Sequence, residues 1–453
     1  MIDPLYTADE MRAAEALYPG YPGTAQELME VAAAAVADQL VRRHPDARRV
    51  TAVCGGGSNG GDGRIAAQLL ARSGLEVTVV EAAAGGDLGS PDVILDALFG
   101  TGFRGEPRAE AAALIEAMNA DGAPVLAVDI PSGVDASSGE VAGAAVRAEL
   151  TVTFHGPKVG LAVAPGRFHA GRVVVADIGL EPVETEHRLV TRDVLGLVPR
   201  RGAGDNKYTA GSVLIVGGSP GLTGAVCLAA EAAFRADAGY VTVAVPPASL
   251  PVVEARLLEA VKRPLDEVDD AAARMGALAL GPGLGRGPEA QALVRRLLAG
   301  PELPAVVDAD ALFGLEPFQR DAPTVLTPHA GELARLLGEE SAWVSAHRLE
   351  AVRRAAELFG CVVLLKGADT LVAAPGEGVL VCGLGPPSLA TAGTGDVLTG
   401  IVAAFLAKGL EPRLAAAAAA VAHGLAAAAV PEQAGLIASD VIRELPRVLD
   451  APL

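Results

Sequence analysis

Short apolar, β-prone runs alternate with helical stretches along most of the chain, and they do so in two separate series. The first comprises Val50 to Cys54, Glu76 to Val80, Asp92 to Asp96, Pro124 to Asp129, Leu150 to Phe154 and Arg172 to Ala176, with stretches such as Ile65 to Ala71 and Glu110 to Asn119 between them. Strands that are apolar throughout are buried on both faces, and a helix between successive strands is the connection a parallel sheet requires. The second series runs through Gly211 to Gly217, Tyr240 to Val245, Ala277 to Leu280, Ala305 to Asp308, Thr324 to Thr327 and Cys361 to Lys366. From Val397 onward the pattern is mainly helical. Between Asp177 and Arg201 the periodicity fades into charged residues and prolines, so we expect two α/β domains, residues 1–190 and 195–453. A chain of 453 residues is long enough for two such cores. Thr7 and Thr24, each three residues before a Glu, are capping-box signals for two helices ahead of the first strand.

Charge and cysteine usage narrow the classes of function. A formal net charge of −19 opposes general binding to nucleic acid or to anionic membranes. Cys54, Cys227, Cys361 and Cys382 are far apart and mostly inside apolar runs, which reads as reduced core residues. Met1 to Glu10 carries acids and a proline where a signal peptide needs a basic start and an apolar segment, so a cytoplasmic location is expected. The longest apolar stretch, Leu414 to Val430, is mostly alanine and contains His423 and Gly424, which suits a buried helix better than a membrane span.

Chemistry is concentrated in glycine-rich turns. Gly393-Thr394-Gly395-Asp396 leads directly into the helix-forming stretch Val397 to Leu406. Unpaired N–H groups and the dipole at such a helix start favour a phosphate, and glycines let the backbone approach it. Asp396 at its edge is placed to take a proton from an attacking hydroxyl. The alternative is an ordinary glycine turn with an Asp in the first helical turn.

In the first domain, the strand Val50 to Cys54 runs into Gly55-Gly56-Gly57-Ser58-Asn59-Gly60-Gly61-Asp62-Gly63 and a helix, the order that presents N–H groups to a dinucleotide's phosphates. Leu95-Asp96-Ala97-Leu98-Phe99-Gly100-Thr101-Gly102 and Asp129-Ile130-Pro131-Ser132-Gly133-Val134-Asp135 each place an Asp at the carboxyl end of a strand, where open α/β sheets bind ligands. Together these motifs resemble the NAD(P)H-hydrate epimerase family over most of residues 1–190. The resemblance implies a Rossmann-like α/β/α domain in which Ser58, Asn59, Gly60, Gly61 and Asp62, then Gly100, Thr101, Gly102, Phe103, Arg104, Gly105 and Glu106, and Asp129 meet the hydrated nucleotide. It also implies K⁺ held by Asn59, Asp96 and Ser132, a hard cation on oxygen ligands. Epimerisation proceeds by reversible loss of the ring hydroxyl or by ring opening, with a carboxylate moving the proton. Asp129 is the expected acid/base group. Two readings stand for Lys158, a phosphate contact or a solvent-facing lysine.

In the second domain, Arg201-Gly202-Ala203-Gly204-Asp205-Asn206-Lys207-Tyr208, Val216-Gly217-Gly218-Ser219, Gly224-Ala225, Gly281-Pro282-Gly283-Leu284-Gly285, Thr327-Pro328-His329-Ala330-Gly331-Glu332, Lys366-Gly367-Ala368-Asp369-Thr370 and the GTGD loop occur in the order that resembles the ADP-dependent NAD(P)H-hydrate dehydratases. The resemblance covers roughly residues 195–450 and implies a ribokinase-like α/β fold. It places Ala225, Gly283, His329 and Asp396 at the hydrated nucleotide and Lys366, Gly367, Ala368, Asp369, Thr370 and Gly395 at the AMP part of the donor. Asp396 is then the base, and Mg²⁺ accompanies ADP. From the residues alone, a phosphate partner suits Lys366 after its apolar strand, His329 stands between a helix cap and a ligand contact, and Asp308 and Asp310 read as helix caps.

The resemblance as a whole implies a bifunctional enzyme. One domain interconverts the R and S forms of hydrated NADH and NADPH, and the other dehydrates the S form while ADP becomes AMP and phosphate. The alternative is a ribokinase-type small-molecule kinase fused to a non-catalytic nucleotide-binding or scaffold domain. The expected partners are these small molecules, with no nucleic acid or membrane, and a homo-oligomer is the expected state.

Overall fold

Six of the apolar runs form one sheet in the smaller of two structural units. In order across it lie Glu76–Glu81, Arg49–Cys54, Val93–Ala97, Val125–Val128, Leu150–Phe154 and Arg172–Ala176, every pair parallel. The structure is a computed structural model and describes residues 2–452. This unit comprises Pro4–Arg188 with the short segment Ser345–Leu349. Leu28, Val36 and Leu40 of the helix Ala25–Arg43 and Leu70 of Ser58–Arg72 join one core against the sheet, while Leu114, Ile115 and Met118 of Ala109–Asp121 join another. The order reverses beside Arg49–Cys54, whose neighbours are the next strand on one side and the one after on the other. A crevice opens at the carboxyl ends of strands at such a reversal, and ligands bind there.

The Thr7 capping box forms. The one expected at Thr24 does not, because Thr24 has φ −100° and ψ 9° rather than extended backbone, and its hydroxyl donates to Pro19 O at 2.9 Å.

The larger unit begins at Leu189, omits Ser345–Leu349 and takes in the start of the chain. Its sheet contains, in order, Leu380–Cys382, Thr370–Ala373, Val362–Leu365, Thr324–Leu326, Ala305–Val307, Ala277–Leu280, Ser212–Val216, Tyr240–Val245 and Val261–Pro264, and His187–Val190 followed by Ile2–Leu5 continue it past Leu380–Cys382. Pairing is parallel from Val362–Leu365 to Val261–Pro264 and antiparallel across the Thr370–Ala373 and Leu380–Cys382 pairs. The order reverses again, beside Ser212–Val216. The helix Thr394–Ala407 packs on Thr223–Arg235 so closely that a Cβ on Gly400 would stand 2.2 Å from Ala229 O. Only glycine permits that approach. Pro412–Ala429, apolar and long enough by composition to cross a membrane, is mostly buried and packs on Thr394–Ala407 and Ala438–Asp450. All four cysteines are free and buried.

Candidate active sites

In the smaller unit, the strand Arg49–Cys54 ends at the glycine run and the helix Ser58–Arg72 starts at Ser58. The run folds back on itself: a Cβ on Gly60 would lie 1.9 Å from Gly55 O. This backbone approach positions Asn59, whose Nδ2 donates to Phe99 O at 2.7 Å. Asp96, at the end of the strand Val93–Ala97, accepts from Ser132 N at 2.8 Å and Ser132 Oγ at 2.6 Å, while Ser132 Oγ accepts from Phe99 N–H at 2.9 Å. Asn59 and Ser132 therefore meet at the Phe99 backbone, and Asp96 joins them through Ser132. Asp96 is fully buried, burial pushes its pKa up to about 6, and among the described residues no Lys or Arg pairs with it. A buried carboxylate among oxygen donors, without a cationic partner, is a setting that a hard cation fits.

Gly100 to Glu106 lie in the loop after the same strand, with Gly102, Arg104, Gly105 and Glu106 exposed, Thr101 half-buried, and Phe103 stacked on Phe99 at 4.6 Å. Ser58 is exposed and Gly61 half-buried.

Lys158 follows neither reading of the sequence. It is 0% exposed, and its Nζ lies 2.7 Å from Asp129 Oδ1 while donating to Thr153 Oγ1 at 2.9 Å and Phe154 O at 2.8 Å. A lysine this deep needs an anion, and Asp129 supplies it. Asp129 holds φ 66°, a left-handed backbone uncommon outside glycine, at the end of the strand Val125–Val128. Asp62 is also buried, and burial, then the charges of Asp129 and Glu15, raise its pKa to about 8. Glu15, on the helix Ala8–Ala16, was not singled out in the sequence. No local motif marks it.

In the larger unit, Lys366 ends the strand Val362–Leu365 and its Nζ pairs with Asp308 Oδ1 at 2.7 Å and lies 3.8 Å from Glu332 Oε2. A Cβ on Gly395 would lie 3.5 Å from that ammonium, so Lys366 sits over the start of the helix Thr394–Ala407. Burial works to lower the Lys366 pKa, but Asp308 and Glu332 outweigh it and leave it raised. Asp396, in the first turn of that helix, is pushed up to about 7 by burial and then by the Asp308 charge.

Asp308 does not cap a helix. Its second oxygen accepts from Thr399 Oγ1 at 2.6 Å, linking Lys366 to the GTGD helix. Asp310 accepts from Gly285 N at 2.9 Å and pairs with Arg286 at 2.8 Å. Neither aspartate spends its side chain on a helix cap: Asp308 joins Lys366 to Thr399, and Asp310 joins Gly285 to Arg286. His329 does cap a helix, with Nδ1 accepting from Gly331 N and Glu332 N, and burial holds its pKa below the ordinary value. Its side chain is 56% exposed and so open to a ligand as well. Ala225 lies in the first turn of Thr223–Arg235, and Gly283, at φ 58°, accepts from Ser219 N at 2.7 Å. Gly367 and Ala368 are exposed, Asp369 is buried and Thr370 begins a strand.

Comparison with known proteins decides the family. Residues 213–447 match the model described as NAD(P)H-hydrate dehydratase, and residues 25–88 and 81–160 match the YjeF-related protein N-terminus. A bifunctional NAD(P)H-hydrate repair enzyme of Moorella thermoacetica is 40% identical over 93% of this chain and 92% of its own length. This chain belongs to the bifunctional NAD(P)H-hydrate repair enzyme family. A repair enzyme of Escherichia coli is 35% identical over 98% of this chain and 94% of its own. The ADP/ATP-dependent NAD(P)H-hydrate dehydratase of Bacillus subtilis, co-crystallised with ATP and Mg²⁺, aligns with a TM-score of 0.53 and 30% identity over 57% of this chain and 96% of its own. The repair-enzyme family thus accounts for both halves of the chain, and the ribokinase-like fold of the second is as the sequence implies.

Proposed function

We propose that this repair enzyme acts at two sites on hydrated NADH and NADPH. Residues 1–190 interconvert the R and S forms, and residues 195–453 dehydrate the S form as ADP becomes AMP and phosphate. The observation that carries the second activity is the arrangement over one helix start. A carboxylate with its pKa near neutrality, Asp396, shares the GTGD turn with the Lys366 ammonium, which is tethered through Asp308 and Thr399. Asp396 takes the proton of the ring hydroxyl, and that oxygen attacks the terminal phosphorus of the donor. The Gly393 to Gly395 turn and Lys366 stabilise charge on the moving phosphoryl group. Phosphate then leaves with the C–O bonding pair, and loss of a ring proton restores the reduced nicotinamide. Ala225, Gly283 and His329 orient the nucleotide, and Lys366 to Thr370 with Gly395 hold the AMP part. Mg²⁺, bound with the diphosphate, would neutralise its charge. In the first site, Asn59, Asp96 and Ser132 would hold K⁺, which supplies a counter-charge for the buried Asp96.

The test gives pure protein a mixed-epimer sample of hydrated NADH with Mg²⁺ and ADP and follows absorbance in the reduced-nicotinamide band. Full return with AMP release is expected. Return limited to the S form would reduce the first domain to a binding module, and a stable phosphorylated product would make the chain a kinase.

A further inference from the structure

The first site contains two buried aspartates with opposite surroundings. Asp129 has its charge matched by the fully buried Lys158 and accepts from Thr153 Oγ1 at 3.0 Å. Asp62, just past the first turn of the helix Ser58–Arg72, is 8% exposed, and its Oδ1 is buried without a hydrogen-bond partner among the described residues. An ionised carboxylate left this way forfeits its hydration for nothing, whereas a neutral carboxylic acid needs little solvation. The charged groups acting on it from other elements are both acidic: Asp129, at the end of the strand Val125–Val128, and Glu15, on the helix Ala8–Ala16. The nearby cation, Lys158, is engaged by Asp129. The raised pKa of Asp62, about 8, agrees with this geometry.

A buried carboxyl without a counter-charge, beside a carboxylate held in an ion pair, offers a proton donor and a proton acceptor. We propose that Asp62 is the proton donor of epimerisation and that Asp129, ion-paired with Lys158, is the matching acceptor. The inference rests on the epimerase reading of the first domain, in which both residues meet the nucleotide, and it divides between two groups the role first given to Asp129 alone. Asp62 gives its proton to the ring hydroxyl. The C–O bond breaks, its pair leaves with the departing water, and the ring nitrogen's pair forms a C=N bond. A water adds to the opposite face of that carbon, the C=N pair returns to nitrogen, and the proton released from the adding water goes to Asp129. One water leaves and one enters, nothing is oxidised, and proton exchange with solvent resets the pair.

The experiment uses the full chain without ADP and follows, by chromatography, the approach of the pure R form of hydrated NADH to the R/S mixture. Asp62→Asn is expected to slow kcat by about 100-fold or more while KM stays within about threefold. Dehydration of the S form with ADP should be unchanged. Wild-type epimerisation should fall as pH rises through about 8, where Asp62 loses its proton, and the variant should lack that alkaline limb. Asp62→Glu, which keeps a carboxylic acid, should recover part of the rate. A rate for Asp62→Asn within about threefold of wild type would overturn the assignment. So would an unchanged alkaline limb, or a natively melting Asp62→Glu with no recovery. Wild-type protein that dehydrates the S form but never converts the R form would instead sink the epimerase reading on which the assignment stands.

Discussion

Replacing Lys158 by methionine tests whether the buried pair with Asp129 organises the first unit. Methionine fills similar volume but removes the ammonium, so Asp129, 8% exposed, loses its counter-charge, and Phe154 O loses a donor at 2.8 Å. Removing one partner of a buried pair costs about 3–5 kcal/mol, because the remaining charge is neither paired nor hydrated. In a unit of this size each kcal/mol moves the melting temperature by about 2–4 °C, so the drop should be about 6–20 °C. The double variant Asp129→Asn, Lys158→Met removes both charges and should regain at least about 1 kcal/mol relative to the sum of the single changes. Calorimetry of the full chain reads this directly: loss of S-form dehydration with ADP after heating marks the second unit's transition in every variant, and the other transition belongs to the first unit. Lys158→Met melting within about 1 kcal/mol of wild type, or a double variant as unstable as the sum, would refute the buried-pair reasoning.

Three residues of the second site carry the further predictions. Gly283→Ala puts a Cβ 2.4 Å from Leu222 O at a backbone of φ 58°, so dehydration should fall at least about 10-fold with epimerisation intact, measured on each epimer separately. Thr399→Val keeps the shape but strips Asp308 of its 2.6 Å donor; a loss of about 1.5–3 kcal/mol is expected in urea unfolding, with a slower dehydration step. As a base, Asp396 must be ionised, so S-form dehydration should rise with pH through about 7 and level off above it. Asp396→Asn should cost about 100-fold or more in kcat and remove that rise. Its raised pKa also means that ionising Asp396 costs folding stability, so the melting temperature should decline as pH rises through about 7 and decline less in the variant.

What the sequence discloses is what is local along it. Apolar runs, glycine turns and the helices after them have short periods, and the parallel parts of both sheets were legible on that basis, as was the place of Asp96 at a strand end. Partnerships across the fold were not. Lys366 reaches Asp308 across 58 positions and Thr399 reaches it across 91, so an aspartate that looks like a cap becomes the link between a lysine and the GTGD helix. Lys158 shows the same limit, since nothing beside it in the chain announces Asp129 as its counter-ion. The strands Thr370–Ala373 and Leu380–Cys382 escaped because they are short and because Lys366 to Thr370 reads first as a ligand loop.

The close seat of Gly400 against Ala229 O bears on how this enzyme can change over generations. The helix whose first turn carries Asp396 is braced from behind by backbone touching backbone, with no side chain between to absorb a substitution. Specificity can drift at the exposed rim, at Gly367 and Ala368, without disturbing that brace. A single methyl at Gly400, on the packed face of the helix, would push the whole helix outward and carry Asp396 with it. Mutational intolerance should therefore map along the hidden back of this helix as strongly as around the mouth of the site.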